Sequence, residues 1–167
     1  MYSDKNIVNL LTSLLIAKGI KKAVVCPGSR NIPIISNLRT VKEIECISVI
    51  DERSAAFYAL GVSLATGTPT IVCVTSGSAF LNTLPAIAEA HYRQVPIILI
   101  SADRPQEWIE RNDGQTMVQC GPTYGLFNSE VDVNDISNGE AENYSSLLIN
   151  NALNAALRDN RGPVHIN

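Results

Sequence analysis

Four short polar segments carry the residues with chemistry to offer, and each follows directly on an apolar run. They are Cys26-Pro27-Gly28-Ser29-Arg30, Asp51-Glu52-Arg53-Ser54-Ala55, Thr75-Ser76-Gly77-Ser78-Ala79 and Ala102-Asp103-Arg104-Pro105. Singly, each has a plain structural meaning: Gly and Ser make turns, Asp caps helices, and charge at a helix start complements the macrodipole. Together they supply a carboxylate, at least two guanidiniums and several hydroxyl and backbone donors. That set suits an acidic ligand whose chemistry also needs a proton acceptor or donor.

Whether the four segments meet depends on the elements that carry them. Short runs rich in β-branched residues alternate with helical patterns, which is the mark of βα units around a parallel sheet buried on both faces. Residues 5–18 carry Ile7, Leu10, Leu11, Leu14 and Leu15 at helical spacing, with Gly19 as the expected C-terminal cap. Strands are expected at 23–26, 45–50, 70–74, 96–100, 126–131 and 163–166. Between them, helices are expected from about residue 31, over 53–64 behind an Asp51 cap, from the turn at 75–78 toward Arg93 with a kink at Pro85, and over 140–158. The fold class is therefore α/β, an open, mainly parallel six-stranded sheet with helices on both faces. In such a sheet ligands bind outside the carboxyl ends of the strands, which puts all four polar segments on one rim. Residues 101–124 show no clean period, and so long a connection in a compact domain is more often functional than idle.

Bulk properties narrow the function further. The 167 residues suit one domain; 46% are hydrophobic and 17% charged, too apolar for a disordered chain. A formal net charge of −3, a pI near 5.3 and the lack of clustered Lys and Arg argue against nucleic acid as a partner. There is no long uncharged membrane-type run and no signal-peptide pattern at the start, so a cytoplasmic protein with no membrane partner is expected. Cys26, Cys46, Cys73 and Cys120 are scattered, without a C-x-x-C pair, and suit a reduced compartment. Cys26, beside the Pro-Gly turn, has a thiolate nucleophile as its functional reading and a small core hydrophobe as its structural one. No metal-ligand spacing is present, and neither G-x-G-x-x-G nor G-x-x-x-x-G-K-[ST] occurs, which removes the usual nucleotide loops.

With the segments in order, the whole chain resembles the N-terminal, pyrimidine-binding domain of the thiamine-diphosphate decarboxylase superfamily, and within it the menaquinone-pathway synthases. The fragments that carry the resemblance are CPGSRNIPI at 26–34, DERSAAFYALGVSLATG at 51–67, TSGSAFLNTLPAIAEA at 75–90, ISADRPQEW at 100–108 and GQT at 114–116. Acetolactate synthases and their relatives usually have Pro-Gly-Gly after the first strand and a His or similar residue before the glutamate. Here Gly28-Ser29-Arg30 and Asp51-Glu52 stand instead.

The resemblance implies that Glu52 hydrogen-bonds N1′ of the cofactor's aminopyrimidine and promotes the imino tautomer that deprotonates the thiazolium C2. A carboxyl shielded from water suits that relay. It places Pro27, Ser76 and Gly77 with Glu52 on the cofactor side, and Ser29, Arg30, Arg104 and Gln115 on the substrate side. Asn112-Asp113-Gly114 departs from the family's usual Gly-Ala-Asn-like run and leaves any contact at 114 to the backbone.

The implied reaction is decarboxylation of 2-oxoglutarate on thiamine diphosphate and addition of the product to isochorismate, so the small-molecule partners are polycarboxylates. Mg²⁺ and the diphosphate are expected on a second domain bearing a Gly-Asp-Gly segment, absent here, which makes residues 1–167 a fragment of a longer chain, inactive alone. The full-length form is expected to be a homo-oligomer, dimer or tetramer. The alternatives are another thiamine-diphosphate carboligase or decarboxylase of the acetolactate-synthase kind, or a non-catalytic α/β module that holds a dicarboxylate.

Overall fold

The aliphatic runs become the strands of one parallel sheet because only pairing with neighbours satisfies their backbone while both faces are covered. A computed structural model describes residues 3–123, 125–159 and 161–167. Tyr124, the last residue of the irregular segment, lies outside the described residues, as do Met1, Tyr2 and Asn160. In chain order the elements are α1 (Asn6–Ala17), β1 (Lys22–Val25), α2 (Ile32–Thr40), β2 (Glu45–Ser48), α3 (Glu52–Thr66), β3 (Thr70–Val74), α4 (Ser78–Tyr92) and β4 (Ile97–Ser101). A single 3₁₀ turn (Gln106–Trp108) leads to β5 (Ser129–Val131), α5 (Gly139–Leu157) and β6 (Val164–Ile166). The strand order is β2-β1-β3-β4-β6-β5, and every pair is parallel.

Alternation along the strands divides the core in two. Ala23, Val25, Ile71, Cys73, Ile98 and Ile100 face one layer, where Leu11, Leu15, Leu38, Ile149 and Leu153 of α1, α2 and α5 cover them. Val24, Cys26, Val72, Val74, Ile97 and Leu99 face the other, covered by α3 and α4. The second layer is built largely from small residues: Ala55, Ala56 and Ala59 on α3, Ala79, Ala86 and Ala90 on α4, with Phe80 and Ile87 as its bulk. All ten residues of β3 and β4 are buried.

Ends follow from local chemistry. Gly19 sits at φ +71°, while Gly19 N–H bonds Ile16 C=O and Ile20 N–H bonds Leu15 C=O, a Schellman closure of α1 just after its cap at Lys18. β2 stops at Ser48, short of the expected 50: Val49 N–H reaches Val25 C=O, but the next rung would need an N–H from Pro27, and Ile50 is left 83% exposed. The fifth strand is shorter than 126–131, because Leu126 turns back onto Thr123 C=O and, with Phe127, packs into the α3/α4 layer before pairing begins at Ser129. α4 runs through Pro85, which lies on its exposed face and leaves the helix without the hydrogen bond that residue 85 would donate to the Leu81 carbonyl.

Leu153 is fully buried in the α1/α2/α5 layer. Leu153→Ala is expected to cost about 2–5 kcal/mol, read as a lower unfolding midpoint in urea.

Candidate functional site

β1 and β3 are neighbours whose onward connections diverge, β1 leading outward to β2 and β3 inward to β4, so a crevice opens at their carboxyl ends. Two turns meet there. The first leaves β1 at Pro27 and is pinned by Asn31, fully buried, whose Nδ2 donates to Cys26 C=O at 2.9 Å. A Cβ on Gly28 would fall 2.5 Å from Thr75 Cβ, so the two turns are in contact and glycine is required. The second turn carries Gly77 at φ 76° and ψ −132°. A Cβ there would meet Gln115 Cα and Cβ at 2.7 Å. Gln115, itself at φ 64°, is thus pressed onto the Gly77 turn.

The cofactor-side residues of the sequence reading lie around these turns. Pro27 is exposed; Ser76 is fully buried and its Oγ has no hydrogen-bond partner. Glu52 opens α3 immediately after Asp51, whose side chain caps the helix by accepting from Ser54 N–H at 2.8 Å. The Glu52 side chain is half-buried, and its carboxylate makes no hydrogen bond or ion pair among the described residues. Cys26 is fully buried, and burial first, then the charges of Glu52 and Asp51, pushes its thiol up to about 12. That removes the thiolate reading of Cys26.

On the substrate side, Ser29, Arg30 and Arg104 line one cavity of about 680 Å³ at the carboxyl ends of β1, β4 and β6, together with Asp103, Asp132 and Asn167. Gln115, Glu52, Ser76 and Gly77 are not in its wall. Arg30 is exposed and Arg104 half-buried; neither pairs with a carboxylate among the described residues, and Arg104 Nε is buried without a partner. An anion is what such a pair lacks. Asp103 contributes the opposite sign: burial pushes its carboxyl above the ordinary range, partly offset by hydrogen bonds from Asn167 and the Arg104 N–H.

Sequence reasoning missed the groups that hold the irregular segment in place. Gln119, 1% exposed, accepts the Gly77 N–H on Oε1 at 2.7 Å and donates through Nε2 to Asn167 Oδ1 at 2.6 Å. Asn167 Nδ2 in turn donates to Asp103 at 2.8 Å and Asp132 at 2.9 Å. No local pattern marks these residues, since the Gln119–Asn167 bond spans 48 positions. The strain does leave a trace in the backbone: Glu110, Asn112 and Gln115 all adopt positive φ.

Comparison with known proteins agrees with this fold. Residues 5–121 match the family model described as thiamine pyrophosphate enzyme, N-terminal TPP binding domain. The chain is 50% identical, over its full length and 30% of the relative, to 2-succinyl-5-enolpyruvyl-6-hydroxy-3-cyclohexene-1-carboxylate synthase from Bacteroides fragilis. It is 48% identical, with the same coverage, to the synthase of that name from Phocaeicola vulgatus. The chain thus spans under a third of the length of these relatives. Among solved structures, a thiamine diphosphate-dependent 4-hydroxybenzoylformate decarboxylase from Rhodococcus jostii RHA1 superposes with a TM-score of 0.80 at 22% identity, covering 96% of this chain and 29% of that one. At that identity the likeness is one of fold.

Gly28→Ala is expected to drive the two turns apart. A loss of about 1–3 kcal/mol should appear in thermal or urea unfolding.

Proposed function

The chain belongs to the N-terminal TPP-binding domains of thiamine pyrophosphate enzymes, and from that premise we propose that it forms the cofactor-activating and carboxylate-binding half of a carboligase active site. We assign the whole protein synthesis of the product its relatives are named for, 2-succinyl-5-enolpyruvyl-6-hydroxy-3-cyclohexene-1-carboxylate, by the route the family resemblance implies: decarboxylation of 2-oxoglutarate and addition of the four-carbon product to isochorismate. The observation that carries this reading is the pair of unpartnered guanidiniums, Arg30 and Arg104, in one cavity with Ser29. Both substrates are polyanions, and planar guanidinium forks fix carboxylates by parallel charge-assisted hydrogen bonds.

The residues present fit the pyrimidine end of the cofactor: an orphaned buried hydroxyl at Ser76, a turn at Gly77 with no room for a side chain, and a carboxylate at Glu52 without a partner. The diphosphate and Mg²⁺ are assigned to a second domain beyond residues 1–167, which by themselves are then inactive. When bound, thiamine diphosphate supplies a carbon acid that adds to a 2-oxo acid and takes up the electrons released on loss of CO₂.

Glu52 holds a proton at N1′ of the aminopyrimidine and exchanges it as the ring changes tautomer. A partner domain closing over the half-buried side chain would remove water and favour the protonated form. Arg30 and Arg104 bind and orient substrate carboxylates, and Ser29 adds a hydroxyl donor at the same wall. Gln115, outside the wall of that cavity, braces the Gly77 turn. Among the described residues no helix is long and apolar enough to cross a membrane. We place the full-length protein in the cytoplasm as a homo-oligomer acting on small polycarboxylates.

In the full-length protein, Glu52→Gln is expected to lower kcat by about 10²–10⁴-fold with an unchanged unfolding midpoint; unchanged turnover would sink the relay. Arg104→Met should raise KM for 2-oxoglutarate or isochorismate by about tenfold or more, the loss of a charge-assisted hydrogen bond. A preference for pyruvate over both polyanions would instead favour a different carboligase.

A further inference from the structure

The fold brings Cys120, Glu130 and His165 together, one sulfur, one carboxylate oxygen and one imidazole nitrogen, all within 4.8 Å of one another. His165 Nδ1 lies 3.0 Å from Glu130 Oε1 and 3.9 Å from Cys120 Sγ. His165 is fully buried, and the rings of Phe80 and Phe127 stack on it at 4.8 and 5.2 Å, so its plane is held.

Hydrogen-bond directions around the ring follow from two amides whose orientation is fixed. Gln119 Oε1 accepts from Gly77 N–H, so Nε2 is the donor toward Ser101 Oγ and Asn167 Oδ1. Asn167 Nδ2 donates to two carboxylates, so its Oδ1 is the acceptor facing Ser101. The single Ser101 hydroxyl proton therefore goes to Asn167 Oδ1 at 2.6 Å, and Ser101 Oγ accepts from His165 Nε2–H at 2.7 Å. With the ring's proton on Nε2, the Nδ1 lone pair faces a carboxylate. That contact requires a proton or a metal ion between the two.

We propose that Cys120, Glu130 and His165 form a binding site for a thiophilic divalent cation of the zinc type, which clamps the segment before residue 121 to the carboxyl ends of β5 and β6. Sulfur, imidazole nitrogen and carboxylate oxygen are the ligand set such an ion takes. Zinc bond lengths and a tetrahedral angle call for N···O separations of about 3.3 Å and for S···N and S···O separations of about 3.6 Å; the 3.0 and 3.9 Å found need shifts of a few tenths, and the Cys120 sulfur must also close on the Glu130 oxygen from within the 4.8 Å that spans the three. The outer contacts are those of a metal site: Ser101 holds the far ring nitrogen, and Thr123 Oγ1 donates to the other carboxylate oxygen, Glu130 Oε2, at 3.0 Å. Burial first, then the charges of Glu130, Asp132 and Asp103, pushes the Cys120 thiol up to about 12 while no cation is bound, so an ion that enters must displace the thiol proton, and the same negative charges favour that exchange. Three protein ligands leave a fourth position for water. This site differs from the Mg²⁺ of the cofactor, which is a hard ion that takes oxygen ligands.

The test uses the full-length protein stripped of metal by a chelator and returned to Mg²⁺ buffer. Co²⁺ serves as the spectroscopic probe and Zn²⁺ is titrated against a chromophoric chelator. About one equivalent of Co²⁺ should give a thiolate-to-metal charge-transfer band that Zn²⁺ displaces. Cys120→Ser, a near-isosteric change at a half-buried position, should abolish that band with unchanged circular dichroism, and Glu130→Gln should weaken Zn²⁺ binding by about tenfold or more. A protein that gives no band and leaves Zn²⁺ on a micromolar-affinity chelator has a proton in that place, and the proposal fails. It fails equally if the band survives in Cys120→Ser. Neither readout depends on catalysis, so failure here leaves the carboligase assignment standing.

Discussion

A parallel sheet covered on both faces leaves no place for polar chemistry along its two central strands. β3 and β4 are buried over their full lengths, and their N–H and C=O groups are paired on both sides by β1 and β6. A charged side chain in mid-strand would lie in one of two dry layers. Function is therefore driven to the strand ends, and the divergence of the crossovers after β1 and β3 decides which ends form a crevice. Gly28 against Thr75 and Gly77 against Gln115 are the contacts that shape it.

What was legible in the sequence was what depends on near neighbours. Asp51 before α3, Gly19 after α1 and the Pro-Gly stop of β1 are each set by chemistry within a few residues, and each sits where the residue types require. Strand limits were less so. β2 and β5 end or begin where a partner strand supplies or withholds a hydrogen bond, and Pro27 acts on β2 from the turn that follows β1. The rim segments were readable because polar residues directly after aliphatic runs have few other places to go.

The irregular segment was unreadable for a physical reason. Its geometry is set by Gln119, Ser101, Asn167 and His165, joined by hydrogen bonds that span 18 to 66 positions. Asn31, which pins the first turn from a fully buried position, hides behind an ordinary helix start. The sequence reading also grouped Gln115 with Ser29, Arg30 and Arg104, whereas the fold sets it on the Gly77 turn, outside the wall of the cavity that the other three share.

The two layers of the core differ in what they can absorb. Leucines and isoleucines fill the space under α1, α2 and α5, and such side chains can change rotamer and swap volume with one another while the helices stay where they are. Under α3 and α4 the methyl groups of six alanines set the height of each helix above the sheet, and a methyl has no rotamer with which to yield. Those two helices begin at Glu52 and just after Gly77. Spacing in the alanine layer therefore works as a ruler for the rim, and an added carbon there would be felt as a displaced carboxylate before it was felt as a lost fold. Substitutions should accumulate unevenly across this domain, freely on one side of the sheet and under tight limits of size on the other.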